Sequence, residues 1–572
     1  MAESSSNPAP PPPADVPAEG GEDAASTSKK AAKKAEAKAK KEAEKARRAA
    51  ERAQAAGPSG AGAQAEDLAT DNYGQETHET KLSPDVVEIN LKTLGDEHVG
   101  KTVELRAWIQ NARMQGAKMA FVELREEGNW TIQGVIAANA EGTISRQMVK
   151  YVGGINPESF VVVEATVEKP LEPVKSCKVS NYELHIKKCF VHAAAPAALG
   201  LTLAAANRPI ANFSDEEPAL EEGVEKLTVE SAIPAASMLT HLDNIVMHKR
   251  APVQQAIADI RIEVKDLFRS YLKNLGFKEF EPPCLIGAAS EGGSNVFRLP
   301  YFEKEAFLAQ SPQFYKQFEI AGGRKRVFCI APVFRAENSN TPRHMTEFTG
   351  LDLEMEIKRD YTEVLHTLEG VLLHIFRGIK ERCAEEVELV RSVYPSEDFL
   401  LPEPGKEVRL TFAEGQKLLR EEGPEEYHNV SDDEDMSTPQ EKALGALIKK
   451  KFNTDFYVLD KFPESARPFY AKEDPTNPKV TNAYDFFMRG QEILSGGQRI
   501  NDPVELEARL RRKGMDPSSQ GIKEYVQVFK DAGVPAHGGG GIGLDRVVAW
   551  YLNLPSVHLA AYYPRTPKRL LP

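Results

Sequence analysis

The sequence predicts an α+β protein of two folded units, a small five-stranded β-barrel followed by a larger domain of mixed helices and strands. Three observations carry this reading. At 572 residues the chain exceeds the range over which one hydrophobic core keeps growing. Between residues 102 and 192 the apolar pattern has the strand period of two, broken once by a short helical stretch. Beyond Ile245 the pattern becomes mixed helix and strand to the end.

Residues 1–27, rich in Pro, Ala, Ser and acids, cannot bury enough apolar surface to offset ordering entropy, so disorder is expected. From Lys29 to Arg52 eleven Lys or Arg stand against four Glu in an Ala-rich setting with no apolar stripe. That pattern predicts a polar helix of net charge +7, read either as a solvated linker or as an arm contacting RNA phosphates without sequence choice. Residues 56–84 are linker-like. Val103, Leu105, Ala107 and Ile109 then alternate with polar neighbours, followed by AFVEL at 120–124 and TIQGVIA at 131–137. A helix near 144–152 and strands near 159–168 and 182–192 complete the element order of an OB barrel, a fold that often binds oligonucleotides. Residues 196–244 read as a hinge. The expected division is therefore 1–84 extension, 85–195 barrel, 196–244 hinge and 245–572 main domain, with a loose acidic segment at 421–436.

Bulk composition excludes several classes. Hydrophobic residues at 41% and charged residues at 27% are ordinary for globular protein, and no apolar run is long enough to span a membrane. The N-terminus MAESSSNPAPPPPADV has neither a signal-peptide core nor transit-peptide composition, so a cytoplasmic protein is expected. Cys177, Cys189, Cys284, Cys329 and Cys383 are too scattered for a zinc site and read as reduced thiols. A net charge of −13 argues against a globally basic nucleic-acid binder. Two motif matches are refused. Gly95–Thr102 (GDEHVGKT) fits a Walker loop, but a strand pattern follows where a helix is required. Gly538–Gly543 (GGGGIG) fits GxGxxG without a βαβ unit or a downstream ribose-binding acid.

The chemistry concentrates in VFCIAPVFRAENSNTPRHMTEFTGLDLEMEI, residues 327–357, two strand-like runs joined by a polar loop. Arg335 ends the first run, Arg343 and His344 lie in the loop, and Phe348, Asp352 and Glu354 share one face of the second by even spacing. A face carrying an aromatic ring and two carboxylates beside an Arg is a site rather than core, because unpaired buried charge is costly. A surface hairpin laced with salt bridges is the alternative.

FRAENSNTPRHMTEFTGLDLEME resembles motif 2 of the class II aminoacyl-tRNA synthetases in its aspartyl form. Other signatures follow in order: a motif 1-like segment ending at Pro283, GAASEGGSNVF at 287–297, AQSPQFYKQ at 309–317, QEILSGGQRI at 491–500 and a motif 3-like GGGGIGLDRV at 538–547. The resemblance implies an antiparallel catalytic sheet flanked by helices. It implies ATP-dependent activation of L-aspartate and transfer to tRNA(Asp), with Mg2+ accompanying ATP. It further implies a homodimer built on the motif 1 region. Asparaginyl-tRNA synthetase is the nearest alternative, and a non-catalytic RNA-binding paralogue a remote one.

Residue by residue, the resemblance places Arg335 at the α-phosphate and Arg546 over the nucleotide. It sets Arg343 and His344 at the γ-phosphate, Phe348 on adenine and Glu337 near adenine and the RNA 3′ end. Ala336, Met345, Gly543, Leu544 and Asp545 flank these in the ATP site. Glu492 and Ser495 match the metal-binding pair, and Glu492 joins Arg335 and Arg546 as the catalytic set. Lys316 and Arg499 would hold the aspartate side chain with Asp352 keeping them in place, while Gln313, Glu291 and Ser290 surround the α-amino group; Ser495 and Arg335 also border the amino acid. In the barrel, Arg113, Phe121, Gln133 and Glu183 fall where the family reads the anticodon, although the alternation around Phe121 leaves its facing open. The chain departs from the family pattern at Gln491, Asp545, His558 and Thr566.

Overall fold

The computed structural model describes residues 67–84, 86–211, 234–289, 295–339 and 341–571. The predicted basic helix at 29–52 and the site candidates Ser290 and Glu291 lie outside them.

The barrel is closed by five strands, β3 (Thr102–Met114), β4 (Met119–Arg125), β5 (Thr131–Ala137), β6 (Phe160–Glu168) and β7 (Val179–Ala193). β3 pairs with β4 and β6, and β7 joins β6 to β5, so the ring has no free edge within it. Val103, Leu105, Ala107 and Ile109 are all fully buried, as their alternation requires. Helix α1 (Arg146–Val152) is capped by the Ser145 side chain and buries Met148, Val149 and Val152 in the barrel core.

The barrel unit begins before residue 85. Ahead of the ring, β1 (Tyr73–Gln75) runs parallel to β7 and β2 (Val87–Glu88) parallel to β3. Ser83 bonds the buried Glu164 through both its N–H and its hydroxyl. A polar composition hid this, because the segment pairs through backbone and side-chain hydrogen bonds rather than an apolar stripe. The presumed hinge likewise contributes Leu201, Ala206, Met238 and Leu242 to the main core.

The main domain is built on an eight-stranded sheet. In chain order its strands are β8 (Lys278–Glu279), β9 (Arg326–Phe334), β10 (Glu347–Glu356), β11 (Val408–Thr411), β12 (Phe456–Asp460), β13 (Ala483–Met488), β14 (Gln491–Gln498) and β15 (His537–Gly543). Across the sheet they run β11-β12-β13-β14-β15-β10-β9-β8, antiparallel except for the two outermost pairs. Helices α2 (Pro252–Asn274), α4 (Thr362–Arg382) and α6 (Leu544–Tyr551) cover the sheet through one apolar core. The shorter α3 (Gln313–Ala321) and α5 (Thr438–Phe452) flank the cavity described below. The 421–436 segment is not loose. It forms a short turn at Glu425–Tyr427 and is fastened by Gln416 to the Ser431 carbonyl and by Arg420 to Val430 and Asp432. Arg250 and the Gln255 side chain tie the main domain to Glu158 and Gly128 of the barrel. Among the described residues no helix is long and apolar enough to cross a membrane.

Candidate active site

Strands β9 and β10 form the predicted hairpin, with Val333 opposite Phe348 and Cys329 opposite Asp352. β10 lies between β9 and β15, so its even-numbered side chains look onto one face beside a strand that is nearly all glycine. The glycines make room there. A Cβ on Gly539 would fall 2.1 Å from the Leu353 carbonyl and 2.2 Å from Glu354 Oε2, and one on Gly541 would fall 3.0 Å from Asp352. GGGGIG is thus a strand that admits the carboxylates of its neighbour. The Walker-like GDEHVGKT is equally accounted for, with a single helical turn at Asp96–His98 leading into β3.

A cavity of about 450 Å³ opens on this face. Its lining brings together Gln313, Lys316, Arg335, Glu337, Arg343, His344, Met345, Phe348, Asp352, Glu492, Ser495, Arg499, Gly543, Asp545 and Arg546, although the first and last are 233 positions apart in the sequence.

 Two candidates do not line it. Leu544 is wholly buried in the core, and Ala336 turns its N–H to the Asn295 carbonyl at 3.0 Å.

At the deep end four charged side chains are almost completely buried. Lys316 Nζ is 2.8 Å from Asp352 Oδ1 and 3.6 Å from Glu354 Oε2. Arg499 donates through Nε and Nη2 to the two oxygens of Glu354, at 3.0 and 3.2 Å. The acid that fixes Arg499 is therefore Glu354 and not Asp352, a correction to the expectation that Asp352 holds both cations. Burial alone would raise the Glu354 pKa, but Arg499 and then Lys316 outweigh it and hold the carboxyl below its ordinary value. Even spacing along β10 already put Glu354 on this face, so its place was legible although its role was not. Gln313 bonds Gln317, which is in turn fixed by Tyr525 and His537.

The outer end is more open. The Arg335 guanidinium lies 5.5 Å from the centre of the Phe348 ring. Arg546 Nη1 donates to the Glu492 carbonyl at 3.1 Å and stands 3.9 Å from its carboxylate. His344 Nδ1 is 2.6 Å from the Thr341 hydroxyl, and burial lowers its pKa against the opposing pull of Glu337, with Arg546, Arg343 and Arg335 adding to the fall. The shift favours the neutral ring, which offers hydrogen bonding rather than charge. Asp545 borders the cavity, but its carboxylate is committed to Arg261 at 2.5 Å and to the Thr349 N–H at 3.1 Å. It braces motif 2 against α2 and α6 instead of facing a ligand.

Glu492 and Ser495 are three residues apart, which would put them on opposite faces of a regular strand. A bulge resolves this. Phe486 pairs with Leu494 and Phe487 with Glu492, so Ile493 is the extra residue and both side chains reach the cavity. Beside them Asp485 is raised to about 6 by burial, against the pull of Arg467, with Glu492 adding to the rise. Arg467 holds Asp485 through both oxygens and donates to Ser495 Oγ at 2.9 Å. Nothing in the sequence reading singled out this pair. Among the described residues no three His, Cys, Asp or Glu are grouped to hold a metal by themselves. The Glu492 carboxylate and the Ser495 hydroxyl, with Asp485 crowded beside them, nevertheless suit a hard cation completed by phosphate oxygens and water.

On the barrel, Arg113 pairs with Phe121 in register and stacks 5.6 Å from its ring centre. Ala120 and Val122 are buried, so Phe121 faces outward, which settles the open point. Gln133 is opposite Glu183 and donates to it at 2.9 Å.

A closed OB-type barrel joined to an antiparallel sheet whose hairpin carries Arg335 and Phe348 defines a class. The family model of class II tRNA synthetases (D, K and N) matches residues 237–567, and the chain belongs to that family. Within it, the chain is similar to the cytoplasmic aspartate–tRNA ligase of Rattus norvegicus, 43% identical over 509 residues and covering 89% of this chain and 96% of the relative. It also matches the aspartyl-tRNA synthetase structure from Entamoeba histolytica, with TM-score 0.76, 36% identity and coverage of 88% of this chain and 96% of that one. Asparaginyl-tRNA synthetase from Pyrococcus horikoshii matches with TM-score 0.68 at 27% identity, covering 85% and 99%. The particular group is thus the aspartate–tRNA ligases, which are enzymes.

Proposed function

We propose that the chain activates L-aspartate with ATP and transfers the aspartyl group to the 3′ end of tRNA(Asp) in the cytoplasm. The observation that carries this reading is the deep quartet: Lys316 and Arg499 present fixed cations at the closed end of the cavity, each held by a buried acid, and this reading puts the substrate side chain against them. A second carboxylate on the substrate completes such a site, whereas a neutral amide leaves cationic donors poorly matched.

In the proposed reaction an α-carboxylate oxygen of aspartate attacks the α-phosphorus of ATP, the bond to the bridging oxygen breaks, and pyrophosphate leaves. Arg335 meets the charge at the α-phosphate, Phe348 stacks adenine, and Arg343, His344 and Arg546 hold the remaining nucleotide. Glu492 and Ser495 would hold Mg2+, which when bound neutralises phosphate charge. A terminal ribose hydroxyl of tRNA then attacks the adenylate carbonyl and AMP leaves. Gln313, Ser290 and Glu291 are assigned to the α-amino group. The barrel residues Arg113, Phe121, Gln133 and Glu183 are assigned to the anticodon, and residues 29–52 to unspecific RNA contacts. A homodimer across the motif 1 region is supported by the exposed Leu239, Val246 and Ile262.

Pyrophosphate exchange measured with each of the twenty amino acids tests the reading. Exchange should depend on aspartate alone, and exchange driven by asparagine instead would overturn it.

A further inference from the structure

Helix α5 follows the acidic 421–436 segment, and nothing in the proposed reaction yet uses it. Its buried stripe is Glu441, Leu444, Gly445 and Ile448, the i, i+3, i+4, i+7 pattern of a packed helix with a carboxylate at its head. A buried acid in that place is costly unless something answers its charge. The answering group is Arg343, whose Nη2 is 3.6 Å from Glu441 Oε2 and whose Nη1 donates to the Thr438 hydroxyl one turn earlier.

The helix is mounted firmly. A Cβ on Gly445 would fall 2.3 Å from the Gly490 Cα, so the two backbones touch. Gly490 lies in the turn immediately before the strand that carries Glu492, and its left-handed φ of 70° also favours glycine. Thr438 and Glu441 are therefore fixed relative to the cavity wall, while Arg343 belongs to the loop between β9 and β10. The pairing is incomplete on both sides. Glu441 Oε2 and Arg343 Nε are buried without a hydrogen-bond partner among the described residues. An arginine that lines the cavity, and whose charge a buried acid answers only at 3.6 Å, is arranged for an anionic ligand to finish.

We propose that Glu441, with Thr438, is a positioning residue that holds Arg343 for the terminal phosphates of ATP, making α5 part of the nucleotide site. This rests on the assignment of Arg343 to those phosphates. By fixing the guanidinium before ATP arrives, the helix removes an ordering cost from binding. The contact acts only on the part of ATP that leaves as pyrophosphate. The aspartyl-adenylate, which lacks those phosphates, gains nothing from it.

The test uses the full chain with Glu441→Gln, Thr438→Val, Arg343→Gln and the Glu441→Gln/Arg343→Gln double variant. Aspartate-dependent pyrophosphate exchange gives KM for ATP, and calorimetry gives the affinity of a non-hydrolysable aspartyl-adenylate analogue. Glu441→Gln should raise KM for ATP about tenfold, keep kcat within about threefold and leave analogue affinity unchanged, and Thr438→Val should do the same to a smaller degree. The double variant should be no worse than Arg343→Gln alone. An unchanged KM in Glu441→Gln, or equal losses for ATP and the analogue, overturns the proposal. If Glu441→Gln does not fold, Thr438→Val decides by the same two readouts. Arg343→Gln with an unchanged KM for ATP would instead sink the assignment of Arg343 itself.

Discussion

The two ends of the cavity solve opposite problems. At the deep end Lys316, Arg499, Asp352 and Glu354 are each no more than 5% exposed and hold one another in place. At the outer end Arg343 is held by Thr438 and by Glu441 but still lines the open cavity, Arg546 reaches a carbonyl, and His344 sits in a loop. Rigid complementary charge suits discrimination between similar small side chains, where a wrong substrate leaves a buried group unmatched. Loop-borne arginines suit a flexible polyphosphate that arrives, reacts and leaves in pieces. The difference teaches that stability and function are coupled tightly at one end and only weakly at the other.

The sharpest way to break that contrast is Lys316→Leu, which strands Asp352 with no cation and takes one from Glu354. Removing one partner of a buried pair costs about 3–5 kcal/mol, so both folding stability and use of aspartate should suffer. Aspartate kcat/KM should fall by at least about a thousandfold and Tm should drop, while ATP still binds. Calorimetric titration of ATP into the variant checks the last point; a matching loss of ATP affinity would show the two ends are not separable.

At the other end, Arg546→Ala should lower kcat for exchange by about a hundredfold, the scale seen for removing one donor to a developing charge. Arg546 is about a quarter exposed and bonds only a carbonyl, so Tm should stay within about 1 °C. A large fall in Tm would erase the proposed asymmetry between the ends.

A third region supplies the control. Phe121→Ala on the outer face of the barrel removes a stacking platform worth about 1–3 kcal/mol per base. Aminoacylation kcat/KM for tRNA should fall roughly 5- to 150-fold with pyrophosphate exchange unchanged. Equal losses in both assays would place Phe121 in the barrel's structure rather than in recognition.

Much of this architecture was legible because it follows period two. The buried alternation from Val103 to Ile109 and the shared face of Phe348, Asp352 and Glu354 needed only strand geometry. Three features were not legible, for different physical reasons. The bulge at Ile493 changes facing without any residue type that announces it. The Arg467–Asp485 and Arg343–Glu441 pairs join segments whose approach is set by the sheet order and by a glycine–glycine contact. The strands at 73–75 and 87–88 are held by backbone pairing that leaves no apolar pattern to read.

The smallest expected effect separates charge from shape at the deep end. Because the folded-state pKa of Glu354 is lowered, its ionisation stabilises the fold above the unfolded value of about 4.3, and that contribution is lost as pH falls through the folded value. Glu354→Gln keeps the volume of the side chain but removes this linkage. At neutral pH the variant should be less stable than the parent, because Arg499 loses its charged partner. On acidification from about pH 7 to about pH 3.5 the gap between the two urea midpoints should narrow, since only the parent still has a charge to lose. A gap that stays constant over that range would mean that Glu354 holds Arg499 by hydrogen-bond geometry alone, and that the deep end owes its order to shape rather than to its balanced charges.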